Sequence, residues 1–541
     1  MKFGFIIDNR KCIGCHACTT ACKSEHDVPV GVFRTWVKQV EKGEFPHTRR
    51  LFSVMRCNHC TDAPCVEICP VEALYFRDDG IVDFDKNRCI GCKSCMQACP
   101  YDALYIDPET HTAAKCNYCA HRIDVGLEPA CVNVCPEHAI ISGDMDDPNS
   151  EISVMLGREQ VSVRKAAKGT VPNLFYINGD EASLNPVATA RQSDYFWNEQ
   201  SHGVGHFAQK TEKLAFSEGN LVNALLDKNG SAVAAGDLAK GTPAKSIDLL
   251  MGQPRRVYDA PVKGILWGWE VSAYVVTKAV SAGAVLVALM GSLFRLSSVS
   301  DTTFWWALGL GLFFLMATGA LLVKDLDRPD RFLNVLLRPQ WKSWLVRGGY
   351  TISVFGGLLA LLAALMFFDL KGGYTPVLYA VTLAAATMTA VYTAFLFAQA
   401  KGRDFWQSPS LALHMLVHSF MAGAAVFLIV NLITNEGIVW TDYLRNTLII
   451  GLVVNMALMV LEFVTTHPTQ EAKLTVKMIL KGRYRNMFWI GAVLVGNVLP
   501  LALLLLGKDA MMSAAASALV MIGMYVTEKI WVEAPQRVQL V

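Results

Sequence analysis

The sequence predicts two unlike parts, an α+β domain of short repeats around metal clusters followed by an all-α membrane bundle of eight transmembrane helices. Two observations carry this prediction. All 16 cysteines of the 541-residue chain lie within its first 135 positions. The second half consists largely of apolar runs of about twenty residues, the length that crosses a bilayer as a helix.

The cysteines form four groups of four, and none is left over. Two groups follow C-x2-C-x2-C-x3-C, the spacing with which bacterial ferredoxins hold a 4Fe–4S cluster. We therefore expect ferredoxin-like repeats with four 4Fe–4S clusters. The alternative is a disulfide framework, but such frameworks belong mostly to small secreted domains, and Met1–Asp8 reads as a short strand rather than a secretion signal. The groups are Cys12, Cys15, Cys18 and Cys22; Cys57, Cys60, Cys65 and Cys69; Cys89, Cys92, Cys95 and Cys99; Cys116, Cys119, Cys131 and Cys135.

Basic residues stand close to these cysteines, at Lys11, Arg56, Lys93 and Lys115. They either offset the negative charge of thiolate clusters or belong to an ordinary solvated surface, and the sequence favours neither interpretation. The histidines of this region are expected to be surface or supporting residues, because the cysteines already supply every ligand.

Composition divides the chain into three domains. Residues 1–150 are the cluster domain, 151–261 a loop-rich connecting segment, and 262–541 the membrane domain. A loop-rich stretch of this length is unusual unless it binds something, and its aromatics, among them Tyr195, Phe196 and Trp197, argue against simple disorder. We expect an arm that lies over a partner subunit.

Eight membrane spans are predicted, so both ends of the bundle lie on one side of the bilayer. Lys and Arg near the span ends number eighteen on the N-terminal side and four (Arg295, Lys371, Arg445 and Lys508) on the other. Because positive charge concentrates on the cytoplasmic side, the cluster domain is expected in the cytoplasm, attached to the cytoplasmic (inner) membrane. The spans are about 266–294, 303–323, 349–368, 375–399, 410–434, 444–464, 486–507 and 509–531.

Several polar residues interrupt these spans, and an ionisable group inside a membrane is a candidate functional residue. Lys278 is the single ionisable residue expected at mid-depth. His414 and His418 share one helical face, which fits quinone hydrogen bonding, proton transfer, packing, or a haem or metal. The remaining polar positions are Glu270, Tyr392, Gln399 and Glu462.

The run from Cys57 to Pro70 resembles the second cluster motif of the four-cluster electron-transfer subunits of molybdopterin oxidoreductases, and the run from Cys12 to Lys23 resembles their first. In that family the first group pairs with the fourth and the second with the third. The resemblance implies clusters held by Cys12, Cys15, Cys18 and Cys135; by Cys116, Cys119, Cys131 and Cys22; by Cys57, Cys60, Cys65 and Cys99; and by Cys89, Cys92, Cys95 and Cys69.

The membrane part resembles the NrfD/polysulfide-reductase type of anchor, an eight-helix, haem-free, quinone-binding subunit. The resemblance rests on the opening from Trp267 to Glu270 and on the loop from Leu322 to Pro329. It implies a bound quinone, menaquinone or ubiquinone, near the cluster-facing surface. The cofactor-binding residues implied or suggested are Trp269, Glu270, Tyr274, Tyr392, His414 and His418.

Together these features indicate a fused electron-transfer and membrane-anchor subunit that is not itself catalytic. The resemblance implies a separate molybdopterin (molybdenum or tungsten) catalytic subunit acting on a sulfur compound such as sulfite or polysulfide, or on another small substrate. Electrons would pass between it and the membrane quinone pool. The alternative is a module of a redox-driven ion-pumping or hydrogenase-linked quinone oxidoreductase. The net charge of +2 predicts no nucleic-acid partner.

Overall fold

The computed structural model describes residues 1–43, 48–189, 254–370 and 372–541. An N-terminal α+β domain lies against one end of a helical bundle, and one buried apolar core runs from the cluster cysteines into the bundle. The predicted fold class is confirmed.

Short strands make up the sheets of the N-terminal domain. They are β1 (Phe3–Asp8), β2 (Thr35–Lys42), β3 (Arg49–Arg56), β4 (Leu74–Phe76), β5 (Val82–Phe84), β6 (Leu104–Ile106), β7 (Ala113–Lys115), β8 (Ile140–Asp144), β9 (Val161–Ser162), β10 (Leu174–Ile177) and β11 (Arg255–Tyr258). The largest sheet has the order β8–β1–β10–β9, with β1 parallel to β10 and antiparallel to β8. Phe5, Ile6 and Ile7 of β1 are all buried, because both faces of this sheet are covered.

The connecting segment contributes to this domain on both sides of residues 190–253, which lie outside the described residues. Strands β9 and β10 complete the main sheet, so the first folded unit extends beyond residue 150. Strand β11 pairs antiparallel with β2 just before the chain enters the membrane part. Of the aromatics that support the predicted arm, Phe175 and Tyr176 lie in β10, and the three at 195–197 lie outside the described residues.

Short helices contain or adjoin cysteines of every group: α1 (Ala17–Glu25), α2 (Pro64–Ile68), α3 (Ser94–Ala98), α4 (Ala120–Ile123) and α5 (Ala130–Asn133). Two more, α6 (Glu151–Arg158) and α7 (Glu181–Leu184), follow them. Two hairpins, β4–β5 and β6–β7, separate the cysteine groups. This alternation of short helix and hairpin is the ferredoxin-like repeat that the cysteine spacing predicted.

The eight predicted spans are confirmed, with small changes at their ends. They are α8 (Trp269–Leu293), α9 (Asp301–Lys324), α11 (Trp344–Phe367), α12 (Thr375–Gln399), α13 (Ser410–Thr434), α14 (Ile438–Val464), α16 (Met487–Leu506) and α17 (Ala510–Gln536). Two shorter helices, α10 (Asn334–Leu337) and α15 (Gln470–Leu480), lie in the connections. Helix α17 continues to Gln536, past the predicted end at 531, because its last residues are buried against the cluster domain.

Helix α8 is the centre of the bundle and crosses α13 at very close range. A Cβ atom built on Gly283 of α8 would lie 1.8 Å from the carbonyl oxygen of Ser419, and one on Gly423 would lie 2.1 Å from the carbonyl oxygen of Gly283. Small residues at such a crossing let two membrane helices approach backbone to backbone. This contact fixes the two helices that carry Tyr274 and the two histidines.

The two domains are joined by hydrogen bonds as well as by apolar packing. Arg403 donates from Nε to the Gln97 side-chain oxygen at 2.8 Å, and Gln97 donates to Gln536 Oε1 at 2.6 Å. Lys93 pairs with Asp327 at 3.0 Å. The cluster domain is therefore held in one orientation on the membrane bundle.

Candidate electron-transfer site

All sixteen cysteines lie in the described part of the chain, and none of them forms a disulfide bond. Each group begins with the same tight turn, in which the residue before the second cysteine has a positive φ. These residues are Gly14 (71°), His59 (41°), Gly91 (69°) and Tyr118 (62°). The same backbone turn therefore recurs in all four cysteine groups.

Cysteines of the first and fourth groups come together across the sequence. The thiol of Cys12 interacts electrostatically with Cys15 and Cys135, which defines sulfur site 1, completed by Cys18. Cys22 interacts instead with Cys116 and Cys131 of the fourth group. With Cys119, these three define sulfur site 2.

The second and third groups exchange their last cysteines in the same way. Cys99 interacts electrostatically with Cys57, Cys60 and Cys65, and these four define sulfur site 3. Sulfur site 4 contains Cys69, Cys89, Cys92 and Cys95, which line one small cavity. These groupings coincide with the pairing that the family resemblance implies.

The four sulfur sites follow one another in the order 1, 2, 3 and 4. Neighbouring sites interact through cysteines that include Cys18 with Cys131, Cys116 with Cys57, and Cys65 with Cys95. Cys15 of site 1 is exposed at the outer end. Site 4, at the other end, lies against the membrane bundle.

The basic residues near the cysteines divide into two classes. Lys11 is exposed and Lys93 half-buried, whereas Arg56 and Lys115 are completely buried. Arg56 donates from Nη1 to Cys131 Sγ at 3.2 Å, and its Nε and Nη2 atoms have no protein partner. Burial lowers the pKa of Arg56, but the thiols of Cys131, Cys116 and Cys18 outweigh burial and raise it above its ordinary value.

Arg56 is thus a buried guanidinium that faces sulfur atoms and no carboxylate. A buried positive charge of this kind is stable only when negative charge lies nearby. Iron-bound thiolates and the sulfides of a 4Fe–4S cluster supply that charge. Backbone N–H groups also point at the sulfurs, from Ala73 to Cys69 at 3.2 Å and from Ala139 to Cys135 at 3.3 Å. Such bonds to sulfur are typical of cluster sites, where they tune the reduction potential.

Site 4 meets an apolar cavity of about 240 Å³ at the boundary between the two domains. Cys92 lines this cavity, and its carbonyl oxygen accepts a hydrogen bond of 3.1 Å from Nε1 of Trp267, which is also part of the lining. Tyr274 of α8 and Tyr392 of α12 are the two phenols of the lining. The series of sulfur sites therefore ends at a pocket that opens between membrane helices.

Asp325 is a carboxylate in the cavity lining, just past the end of α9. Burial raises its pKa to about 7, against the opposing effect of Lys93. Sequence reasoning did not select Asp325, since it lies in a loop outside the predicted spans. Its place in the wall depends on how that loop folds back under the cluster domain.

Comparison with known proteins identifies both halves of the chain. A family model described as "Polysulphide reductase, NrfD" matches residues 260–532, half of the sequence. The chain belongs to the NrfD family. Two models described as "4Fe-4S dicluster domain" match residues 11–73 and 48–145. The protein thus fuses an iron–sulfur electron-transfer part with an NrfD membrane anchor.

Curated relatives match over most of their own length but over only part of this protein. A tetrathionate reductase subunit of Salmonella typhimurium is 44% identical over 202 residues, which are 37% of this chain and 80% of the relative. A polysulfide reductase polypeptide of Wolinella succinogenes is 43% identical over 181 residues, 32% of this chain and 94% of the relative. Protein NrfC of Escherichia coli is 43% identical over 181 residues, 33% of this chain and 81% of the relative.

The structure separates the six predicted cofactor-binding residues of the NrfD domain into three places. Tyr274 and Tyr392 line the cavity. Trp269 and Glu270 lie at the start of α8 beside Lys324, whose ammonium stands 4.2 Å over the Trp269 ring and 3.9 Å from Glu270 Oε1. The two histidines lie in neither group.

His414 and His418 form a separate buried cluster with Glu528 of α17. Glu528 Oε1 lies 2.7 Å from His418 Nδ1 and 3.7 Å from His414 Nε2. Sequence reasoning missed Glu528, because the span predicted to end at 531 placed it within one turn of the surface. Glu528 is therefore a further buried ionisable residue of the NrfD domain, and the expectation that Lys278 is the single ionisable residue at mid-depth stays a prediction.

Proposed function

We propose that this protein carries electrons between a cytoplasmic molybdopterin catalytic subunit and the membrane quinone pool. The proposal rests on one observation above the others: four successive sulfur sites end at an apolar cavity between membrane helices. Membership of the NrfD family and the iron–sulfur relatives give the proposal its setting.

Each sulfur site would hold one 4Fe–4S cluster, with the ligands named for sites 1 to 4. A single zinc ion is a poor fit to these sites. Ligands around one tetrahedral zinc, each about 2.3 Å from the metal, lie about 3.8 Å apart. Within the described residues, His414, His418 and Glu528 have ligand atoms that all lie within 4.8 Å of one another, and no set of cysteine sulfurs there is this compact.

The cavity is proposed to bind the head of a menaquinone or ubiquinone. Its apolar lining suits a quinone ring, and Tyr274, Tyr392 and Asp325 supply the few polar groups that orient such a ligand. When bound, a quinone accepts two electrons and two protons. Electrons would reach the quinone from the side of the cavity that Cys92 lines. The phenols of Tyr274 and Tyr392 and the carboxyl group of Asp325 would hold protons and donate them to the ring oxygens.

The surplus of Lys and Arg on the cluster side supports a cytoplasmic location for the cluster domain. A partner catalytic subunit would meet site 1, whose Cys15 is exposed. The names of the relatives, tetrathionate reductase and polysulfide reductase, suggest an oxidised or reduced sulfur compound as substrate. Metal analysis of the intact complex tests the partner: molybdenum or tungsten supports it, and nickel would favour the hydrogenase-linked alternative.

The quinone proposal is tested by single-turnover reoxidation of the clusters. Protein in lipid nanodiscs is reduced, mixed with a short-chain menaquinone analogue, and followed by electron paramagnetic resonance. We expect rapid reoxidation in the wild type and slow reoxidation in Tyr392→Phe. The matched control is Tyr443→Phe on α14, since Tyr443 bonds the Val287 carbonyl away from the cavity. Equal rates in all three proteins would contradict the proposed site.

A further inference from the structure

The buried cluster of His418 and Glu528 has hydrogen bonds whose directions are fixed by its surroundings. His418 contacts Glu528 Oε1 through Nδ1 at 2.7 Å and Asn455 Oδ1 through Nε2 at 3.2 Å. Both side chains are almost completely buried, with exposures of 3% and 2%. Four helices meet here, and the ring is held by side chains from two of them, α17 and α14.

The orientations of two asparagine side chains determine which nitrogen of the His418 ring carries a hydrogen. Asn497 donates from Nδ2 to the carbonyl oxygen of Ala492 at 2.8 Å, and a carbonyl can only accept. Asn497 Oδ1 therefore faces Asn455 and accepts from its Nδ2 at 2.9 Å. Asn455 must then present its own oxygen to His418 Nε2, so this nitrogen carries a hydrogen.

The contact with Glu528 consequently needs a second proton. A neutral imidazole has one N–H, and in His418 that hydrogen is already used at Nε2. Two oxygen or nitrogen atoms 2.7 Å apart must share a hydrogen, which sits on His418 Nδ1 or on the carboxyl group of Glu528. The pair therefore holds one proton more than a neutral histidine beside a glutamate anion.

We propose that His418 and Glu528 form a proton-binding site inside the membrane domain, and that Lys278 links this site to the cavity. Lys278 donates to Thr393 Oγ1 at 2.6 Å and stands 4.7 Å over the Tyr392 ring. The Thr393 hydroxyl interacts with the phenols of both cavity tyrosines. The link to the cavity rests on the proposed quinone site; the proton-binding site itself does not.

The other groups that face the pair suit this role. His414, from the same helix, offers a buried Nε2 without a hydrogen-bond partner, 3.7 Å from Glu528 Oε1. Lys278 is the cation from α8, and it interacts electrostatically with Glu528. Helices α14 and α16 contribute the neutral amides Asn455 and Asn497. Among the residues that the structure describes, the pair is therefore stabilised by one cation and by dipoles.

A metal ion is the competing occupant, because the two imidazoles and the carboxylate have ligand atoms within 4.8 Å of one another. Two ligands of one tetrahedral zinc ion, each about 2.0–2.1 Å from it, lie about 3.3 Å apart. The 2.7 Å contact between His418 and Glu528 is a hydrogen-bond distance instead. A divalent ion would also add positive charge beside Lys278.

Infrared spectroscopy of the full-length protein in nanodiscs tests the proton-binding site without any quinone. With ¹³C-labelled histidine, we expect the wild type to show one buried imidazolium, or else one protonated carboxylic acid. Either signal disappears in Glu528→Gln and in His418→Gln. The matched control is Glu462→Gln, since Glu462 is a buried carboxylate that bonds the hydroxyls of Ser408 and Ser410 instead of a histidine.

Identical spectra of wild type and Glu528→Gln would overturn the proposed site, as would one tightly bound metal ion per protein molecule that is lost with His418. Unchanged cluster signals in each variant show that it has folded.

The link to the cavity is tested by proton uptake, followed with a pH-sensitive dye during quinone reduction by pre-reduced clusters. Lys278→Met is expected to slow this uptake about 100-fold, the scale at which positioned proton donors act. Normal uptake in Lys278→Met would overturn the link. If the wild type reduces no quinone, the proposed function fails while the infrared result still stands.

Discussion

Buried charges are stabilised in different ways in the two domains. In the cluster domain, Arg56 is fully buried and faces cysteine sulfurs, without a carboxylate partner. In the membrane domain, Glu528 is paired with His418, and Lys278 bonds Thr393. The first domain leaves positive charge for its cofactor to neutralise, whereas the second places its buried carboxylate against a histidine. An anionic cluster therefore suits the first, and an uncharged ligand suits the second.

The largest expected effect comes from removing a cysteine that crosses between groups. Cys22→Ser should abolish the cluster at sulfur site 2, and Cys119→Ser should remove the same electron paramagnetic resonance signal. Cys18→Ser, in the same group as Cys22, should remove a different signal, that of site 1. If Cys22→Ser and Cys18→Ser lose the same signal, the exchanged pairing is wrong.

Removing the buried cation of the cluster domain should have the next largest effect. Arg56→Gln is expected to destabilise the iron-loaded domain by about 3 kcal/mol or more, because it leaves buried negative charge unpaired. Thermal loss of visible cluster absorbance measures this effect. Arg50→Gln is the control, since Arg50 is half exposed and 3.9 Å from Glu41, where an ion pair contributes about 0–1 kcal/mol. Similar losses in both variants would contradict charge compensation by Arg56.

Close packing between helices is a stabilising feature of the membrane domain. Gly283→Val places new atoms against the Ser419 carbonyl and is expected to cost about 2 kcal/mol, as overpacking typically does. Gly309→Val on α9 is the control, because nothing lies within 4 Å of its added Cβ. Melting temperatures in nanodiscs compare the two. An unchanged value for Gly283→Val would show that α8 and α13 are not tightly packed.

The last expected effect concerns pH. Burial raises the pKa of Asp325 from 3.8 to about 7, so the folded state favours the protonated form. A carboxyl group whose pKa is raised by folding contributes less to the free energy of unfolding as pH rises. This contribution is lost between about pH 4 and 7. Asp325→Asn should flatten this decline in thermal stability, whereas Asp330→Asn, on the surface, should keep it. An unchanged slope in Asp325→Asn would contradict the buried position.

Local sequence spacing was sufficient to predict the clusters and the spans, but not the contacts between helices. The cysteine groups are recognisable because each turn brings its ligands together within a few residues. The spans are recognisable because their length follows from the bilayer. Glu528 meets His418 only after α17 packs against α13, and Asp325 reaches the cavity through a folded loop. Arg56 was selected from sequence, yet its burial depended on the assembled sulfur sites.

The central claim is that the cysteines hold iron–sulfur clusters that conduct electrons to the membrane. Iron, sulfide and zinc analysis of protein purified without oxygen tests this claim most directly. Four 4Fe–4S clusters predict about 16 iron atoms and about 16 sulfides per protein molecule, with no stoichiometric zinc. Markedly fewer irons after anaerobic handling, or zinc in their place, would contradict the account.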